Sequence, residues 1–116
     1  MSRRVLIVDD NRALAENLAE LLELEGFHTA VASQADEARR KAAQEEVDSA
    51  VLDVRLAETD GVALHAELSR LRPSARFILM TAYMTDARVA DALRAGVHAV
   101  LPKPVPIERL VELLRA

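Results

Sequence analysis

The chain has 116 residues, of which 51% are apolar and 29% are charged, and its formal net charge is −4. This length suits one compact domain with a hydrophobic core, so we predict a single domain over residues 1–116. The negative charge argues against a nucleic-acid or membrane-surface role, and the absence of cysteine excludes disulfides and thiolate metal sites. Without a signal peptide or a long apolar window, we expect a cytoplasmic protein.

Five short apolar runs predict five β-strands. Four of them are largely continuous, which is typical of parallel strands covered on both faces, whereas the run at 28–32 is mixed and indicates an edge strand. The predicted strands are residues 5–8, 28–32, 49–54, 77–80 and 98–101.

Helical patterns lie between and after these strands. In the first, Leu14, Leu18, Leu21 and Leu22 share one face, and Gly26 follows where a helix stop is expected. The segment 85–95 has only two large apolar residues, Val89 and Leu93, so we expect a weakly anchored helix there. The predicted helices are residues 12–25, 34–46, 61–71, 85–95 and 106–115. Strict alternation of strand and helix predicts an α/β fold with a doubly wound five-stranded parallel sheet.

Polar side chains stand at the carboxyl ends of four predicted strands, where ligand sites form in sheets of this kind. Asp9 and Asp10 follow the first strand and Asp53 stands at the end of the third. Thr81 follows the fourth strand, and Lys103 follows the fifth. Any one of them alone is more often a helix cap or a solvated side chain. Together, at one edge of one sheet, they predict a functional site.

The chemistry of this set points to phosphoryl transfer. Clustered carboxylates repel one another unless a cation is present, and oxygen ligands without His or Cys suit Mg²⁺. With the metal at Asp10 and Asp53, one Asp53 oxygen stays free to attack phosphorus. Lys103 and the metal would balance charge on the phosphoryl oxygens, and the Thr81 hydroxyl would donate to another.

The sequence resembles the receiver domain of bacterial response regulators over essentially its whole length. The matching segments are "VLIVDDN" (5–11), "LDVRLAETDG" (52–61), "LMTAY" (79–83) and "LPKP" (101–104), together with the spacing between them. The resemblance implies a flavodoxin-like (βα)5 fold with strand order 2-1-3-4-5. It also implies a phosphorelay protein that catalyses its own phosphorylation and dephosphorylation and is not a turnover enzyme. A receiver excised from a longer response regulator or hybrid kinase fits the "LPKP" ending.

By this resemblance Asp53 is the phospho-acceptor, and the donor is a histidine kinase or its phosphohistidine domain. Asp10, Asp53 and the backbone carbonyl of Arg55 would bind Mg²⁺ directly, and Asp9 would hold a metal-bound water. The remaining members of the set, Thr81 among them, would contact the phosphoryl group.

The resemblance further implies that Lys103 contacts the phosphoryl group and that the Lys103–Pro104 peptide bond is cis, since X–Pro is where a cis bond is least unfavourable. The family usually carries Tyr or Phe where this chain has Val100, and that ring swings inward when the Thr moves toward phosphate. Valine cannot make this swing, and a simple packing role on the strand suits a β-branched residue. Switching would then depend more on the 81–88 loop and the helix after it.

Other departures from the family lie near the site. Ala57 replaces a usual Pro, so the loop after the third strand is expected to be less rigid, and Val105 stands where Phe is common. Tyr83 and Arg55 are expected to modulate the phosphoryl lifetime, although an exposed loop position explains each equally simply. The surface around 81–100 would carry the output, and a homodimer through the 85–115 face is a further expectation.

Three alternatives stay open from the sequence alone. One is a receiver-fold protein-interaction module that works without phosphorylation. A phosphohydrolase of the haloacid dehalogenase type would need its nucleophile as the first acid of a "DxD" run, whereas Val54 and Arg55 follow Asp53. A flavodoxin-like cofactor protein would need a Ser/Thr/Gly-rich phosphate loop after the first strand.

Overall fold

The computed structural model describes residues 3–116, and its elements alternate as predicted. The five strands are β1 (Arg4–Val8), β2 (His28–Ala32), β3 (Ser49–Asp53), β4 (Arg76–Thr81) and β5 (Ala99–Pro102). The five helices are α1 (Arg12–Leu24), α2 (Ala35–Gln44), α3 (Gly61–Leu71), α4 (Ala87–Arg94) and α5 (Ile107–Arg115). Every predicted element is therefore present, and no end differs from the prediction by more than about two residues.

All five strands pair in parallel in the order β2-β1-β3-β4-β5, as the resemblance implied. Ile7 of β1 pairs with Val31 on one side and Val51 on the other, so β1 is an interior strand between β2 and the central strand β3. β2 is an edge strand, as its mixed sequence predicted. Because the strands are parallel, their carboxyl ends all lie at one edge of the sheet.

β5 ends one residue later than predicted and includes Pro102, which pairs with Thr81 of β4. Proline has no N–H to donate, but β5 lies at the edge of the sheet, where this loss is tolerated. The N–H of Lys103 then donates to the carbonyl of Thr81 at 2.8 Å. This bond places Lys103 beside the end of β4. The Lys103–Pro104 bond is cis, as the resemblance implied.

Each face of the sheet has its own hydrophobic core. The core under α1 and α5 contains Ile7, Val51 and Ile78 from the strands, and the core under α2, α3 and α4 contains Leu52 and Leu79. Full burial of such a side chain contributes about 1.5–3 kcal/mol. None of the helices within residues 3–116 combines the length and apolar character that crossing a membrane requires.

The apolar face predicted for α1 is only partly in the core. Leu14 and Leu21 are 44% and 39% exposed, and they form an apolar strip on the outside of the helix. The buried residues of α1 are Ala15, Leu18, Ala19 and Leu22. Small alanines let the helix pack closely on the sheet, which turns the two leucines away from it. Gly26 ends the turn after α1 with φ +96°, a left-handed conformation that suits glycine.

α4 is attached to the domain even more weakly than the sequence predicts. Of its residues only Ala92 is buried. Val89 is half-buried, and Leu93, one of the two apolar residues noted in the sequence, is 53% exposed. Ala92 is therefore the one fully buried side chain of this helix, and Val89 adds partial burial.

His65 on α3 is a buried titratable residue away from the carboxyl edge of the sheet. Its ring meets Phe77 edge-to-face with centroids 4.8 Å apart, and Nδ1 has no hydrogen-bond partner within the described residues. Burial lowers the pKa of His65. The imidazole is therefore neutral at neutral pH and acts as a packing residue.

Candidate functional site

The structure brings the five predicted site residues together at the carboxyl edge of the sheet. Asp53 and Thr81 are the last residues of β3 and β4, while Asp9 and Lys103 directly follow β1 and β5. Asp9, Asp53 and Thr81 are buried, whereas Asp10 is exposed. The parallel sheet thus delivers an acid-rich cluster from distant parts of the sequence, as predicted.

Lys103 is the central cation of this cluster. Its Nζ donates to Oδ2 of Asp9 at 2.7 Å and to Oδ2 of Asp53 at 2.8 Å. The other oxygen of Asp9 accepts from the N–H of Asn11 at 2.9 Å, and the other oxygen of Asp53 accepts from the N–H of Arg55 at 3.2 Å. These bonds fix the orientation of both buried carboxylates.

Burial shapes the electrostatics of the pair. It raises the pKa of Asp53, and although the hydrogen bond from Lys103 opposes this, the nearby Asp9 charge adds to it. For Lys103, burial lowers the pKa, but the hydrogen bonds to Asp53 and Asp9 outweigh this and the pKa is raised overall. The ammonium is therefore firmly charged. Keeping the buried Asp53 carboxylate ionised costs free energy, and a second cation nearby would lower that cost.

The acidic residues fit a hard metal ion. Carboxylate oxygens of Asp9, Asp10 and Asp53 all lie within 4.8 Å of one another. Against these three negative charges the site offers one ammonium, Lys103, which leaves a formal excess of two negative charges. Oxygen donors with excess negative charge suit a divalent cation of the Mg²⁺ or Ca²⁺ type.

The helix-capping role that an acid after a strand often plays belongs to Asn11. Its side-chain oxygen accepts from the N–H of Leu14 at 3.1 Å and caps α1. Asp10 is left to face the acidic cluster. Asn11 is therefore the helix cap, and Asp10 lies close to Asp9 and Asp53.

Thr81 lies beside the cluster with its hydroxyl turned toward the β4–α4 loop. Its Oγ1 accepts from the N–H of Tyr83 at 3.0 Å and donates to the Tyr83 carbonyl at 3.2 Å. The hydroxyl is thus hydrogen-bonded to backbone here. A stronger hydrogen-bond acceptor placed beside Asp53 would compete with the Tyr83 carbonyl for it.

Arg55 and Tyr83 meet at the mouth of the site. The Arg55 guanidinium lies over the Tyr83 ring, 4.9 Å from its centroid, and both side chains are exposed. Val100 is half-buried on β5 and packs against the core under α2, α3 and α4. This placement supports the packing role expected for Val100.

Two neighbours of the site were not singled out from the sequence. A Cβ atom on Gly61 would lie 2.4 Å from the carbonyl oxygen of Asp53, so the start of α3 passes directly against the backbone of Asp53. Asp86 caps α4 and pairs with two arginines near the site. The sequence does contain a signal for Gly61. Asp60 directly before it is a common residue to cap the start of a helix.

A doubly wound sheet of this order, with acids and a lysine converging at its carboxyl edge, defines a receiver-type signalling domain. The family model for the response regulator receiver domain matches residues 5–115. The chain therefore belongs to this family, the receiver domains of two-component response regulators.

Relatives and solved structures agree with this assignment. A response regulator receiver protein of Anaeromyxobacter sp. (strain Fw109-5) is 43% identical over 111 residues, covering 96% of this chain and 47% of the relative. The transcriptional regulatory protein ZraR of Salmonella typhimurium is 34% identical over 110 residues, covering 95% of this chain and 25% of the relative. The chain thus spans about half the length, or less, of these curated relatives.

Two solved structures are similar over nearly the whole chain. A CheY-like receiver domain protein from Methanospirillum hungatei JF-1 has a TM-score of 0.92 and 31% identity, covering 99% of this chain and 92% of that one. A response regulator from Burkholderia pseudomallei with a phosphorylated aspartic acid, calcium ion and citrate has a TM-score of 0.91 and 32% identity, covering 97% and 66%. The family match leaves no support for the phosphohydrolase and cofactor-binding alternatives.

Proposed function

We propose that Asp53 accepts a phosphoryl group from the phosphohistidine of a histidine kinase or its phosphotransfer domain. The observation that carries this proposal is the double hydrogen bond of Lys103 to Asp53 and Asp9 inside the acidic cluster. It holds the acceptor in place and supplies a fixed cation for the incoming oxygens. The phosphorylated aspartic acid in the Burkholderia protein supports the same chemistry.

In the transfer step, an Asp53 carboxylate oxygen attacks phosphorus and forms a P–O bond. The P–N bond of the donor breaks, and its electron pair returns to the imidazole of the donor histidine. In the later hydrolysis step, water attacks phosphorus, the P–O bond to Asp53 breaks, and a proton is released. Lys103 stays charged throughout and balances the phosphoryl oxygens, while the Thr81 hydroxyl turns from Tyr83 to donate to one of them.

We propose Mg²⁺ as the cofactor, held by Asp10, Asp53 and the carbonyl of Arg55, with Asp9 holding a bound water. When bound, such an ion neutralises charge on transferring phosphoryl oxygens. The excess negative charge of the cluster supports this assignment, and the Burkholderia protein with a phosphorylated aspartic acid also contains a divalent ion, calcium.

A groove beside Lys103 is the proposed docking place of the donor. It has a volume of about 390 Å³, and its lining includes Leu14 and Leu21 of α1 together with Pro104 and Val105. Asp9 and Lys103 also line this groove, so a donor domain seated there would lie next to the acidic cluster. The exposed leucines of α1 thereby acquire a function.

Leu14→Glu and Leu21→Glu are expected to slow phosphotransfer from a phosphohistidine-bearing domain about tenfold each, because each removes apolar contact and adds a like charge near the acids. Phosphorylation by acetyl phosphate should stay at the wild-type rate, since a small donor needs no docking. Leu71→Glu is the matched control, because Leu71 is 46% exposed on α3 and lies outside the groove. Equal slowing in the Leu71 variant would contradict the docking assignment.

Two side chains are proposed to set the lifetime of the phosphoryl group. Arg55 and Tyr83 lie in contact at the mouth of the site, where they restrict the approach of water. The output surface is proposed to lie around 81–100, which includes the weakly held α4.

Dimerisation through the 85–115 face is proposed as the output of phosphorylation. Leu93 exposes apolar surface on this face. The solution mass with beryllofluoride and Mg²⁺ should rise toward that of a dimer. An unchanged mass would exclude this output, and the domain would then act through another partner.

A further inference from the structure

Asp86 connects two loops at the mouth of the acidic cluster. Its carboxylate accepts from the N–H of Arg88 at 3.0 Å and so caps α4. The same carboxylate accepts from Nε and Nη2 of Arg88 at 3.2 and 3.0 Å, and it forms a 3.4 Å contact with Nη2 of Arg55. One carboxylate thus ties the start of α4 to the loop that follows the acceptor.

The two arginines differ in how strongly they hold Asp86. Arg88 offers three donors from the same helix and is 33% exposed, whereas Arg55 offers one longer contact and is 59% exposed. The guanidinium and N–H of Arg88 lower the pKa of Asp86 to about 2. Asp86 is therefore fully charged and keeps Arg88 even when Arg55 leaves.

Arg55 lies on the same short segment as the acceptor. Its N–H donates to Asp53 at 3.2 Å, while its side chain turns away to Asp86 and to the face of Tyr83. The Tyr83 backbone in turn holds the Thr81 hydroxyl. A movement of the Arg55 side chain therefore affects both the start of α4 and the residue that binds Thr81.

We propose that Asp86 is a positioning residue that holds the Arg55 guanidinium away from Asp53 in the unphosphorylated domain and releases it to the phosphoryl group. This inference rests on the proposed function of Asp53. Release would free the start of α4 from the loop after β3, and it would place a guanidinium over the phosphoryl oxygens.

The exchange follows from the relative strength of the two contacts. A phosphoryl group adds about −1.5 to −2 charges at neutral pH, and a guanidinium binds its oxygens with two parallel hydrogen bonds. The Arg55–Asp86 contact is single, long and exposed, so it is a weak competitor. Asp86 loses little when Arg55 departs, because Arg88 still pairs with it.

Asp86→Asn is the central test, since Asn still caps a helix but lacks the charge that holds Arg55. In the full chain phosphorylated by acetyl phosphate with Mg²⁺, the lifetime of the acyl phosphate should lengthen about two- to fivefold. Arg55→Gln should shorten the lifetime, and Asp86→Asn added to Arg55→Gln should produce no further change. Asp91→Asn is the matched control, because it breaks a comparable exposed pair with Arg94 on the same helix.

A second measurement does not depend on phosphoryl chemistry. Tyr83 is the only tyrosine of the chain and there is no tryptophan, so its ring resonances report this position alone. In unphosphorylated Asp86→Asn they should move toward the positions that wild type adopts with beryllofluoride and Mg²⁺.

The outcomes separate this inference from the proposed function. Wild-type protein that acquires no acyl phosphate would overturn both. A wild type that is phosphorylated normally, with an unchanged lifetime in Asp86→Asn, would overturn the role of Asp86 alone. The same holds if Asp91→Asn lengthens the lifetime equally, or if Asp86→Asn lengthens it in the Arg55→Gln background.

Discussion

Asp53→Asn is expected to reduce phosphorylation by acetyl phosphate and Mg²⁺ by roughly 100-fold or more, because an amide oxygen is a poor nucleophile and nucleophile removal has effects of at least this size. The measurement is the covalent phosphoryl content of the chain after incubation, with hydroxylamine used to release an acyl phosphate. The variant should remain folded. Because burial raises the pKa of Asp53, its ionised form destabilises the fold at neutral pH, and the neutral amide removes that burden.

Asp48→Asn provides the control for this experiment. Asp48 is exposed and accepts from the N–H of Arg4, at the amino-terminal edge of the sheet and away from the acidic cluster. Its variant should be phosphorylated like wild type, and a chelator should stop phosphorylation in both. Undiminished phosphorylation of Asp53→Asn would contradict the acceptor assignment and favour a receiver-fold interaction module.

Gly61→Ala should be the most disruptive conservative change near the site. The added methyl would lie 2.4 Å from the Asp53 carbonyl oxygen and 3.1 Å from Val54 Cα, so backbone must shift. We expect a loss of about 1–3 kcal/mol in the free energy of unfolding, as for overpacked cores. Since the displaced residue is Asp53, the proposed acceptor, the phosphorylation rate should fall about 100-fold. Chemical denaturation and acetyl phosphate kinetics measure the two effects.

Gly26→Ala separates instability from misplacement. Gly26 has a positive φ and open space around it, so the substitution introduces backbone strain of about 1–2 kcal/mol without a clash. It should destabilise the domain to a similar extent and leave the phosphorylation rate unchanged. If both variants lose phosphorylation equally, the close approach at Gly61 has no special role in positioning Asp53.

The architecture was predictable from the sequence because its three inner strands, β1, β3 and β4, are buried along nearly their whole length. Runs such as residues 49–53 are buried at every position, so their apolar character shows directly in the sequence. Helix faces were less predictable. Leucines at helical spacing on α1 predicted one buried face, but Ala15 and Ala19 take the inner positions and leave Leu14 exposed. Hydrophobicity alone cannot distinguish a core leucine from one on a docking surface.

The site divides in the same way. Asp53 and Lys103 stand at strand ends, where the parallel sheet dictates their convergence. The contacts of Asp86 and Gly61 depend on loop paths, which no strand register sets. The role of Asp86 requires the β3–α3 and β4–α4 loops to meet, and the role of Gly61 requires α3 to begin against the backbone of β3. The spacing of residues along the chain does not reveal that these two loops meet or that α3 begins against β3.

The single fully buried alanine of α4 determines how much free energy is needed to move this helix. A helix held by many buried leucines would need several kcal/mol to move, more than one surface ion pair supplies. On α4 only Ala92 is fully buried and Val89 is half-buried, so less free energy holds this helix in place. If Asp53 is phosphorylated as proposed, the exchange of one ion pair is then enough to move this helix. Larger apolar residues on the inner face of α4 would stabilise the domain and make it unresponsive.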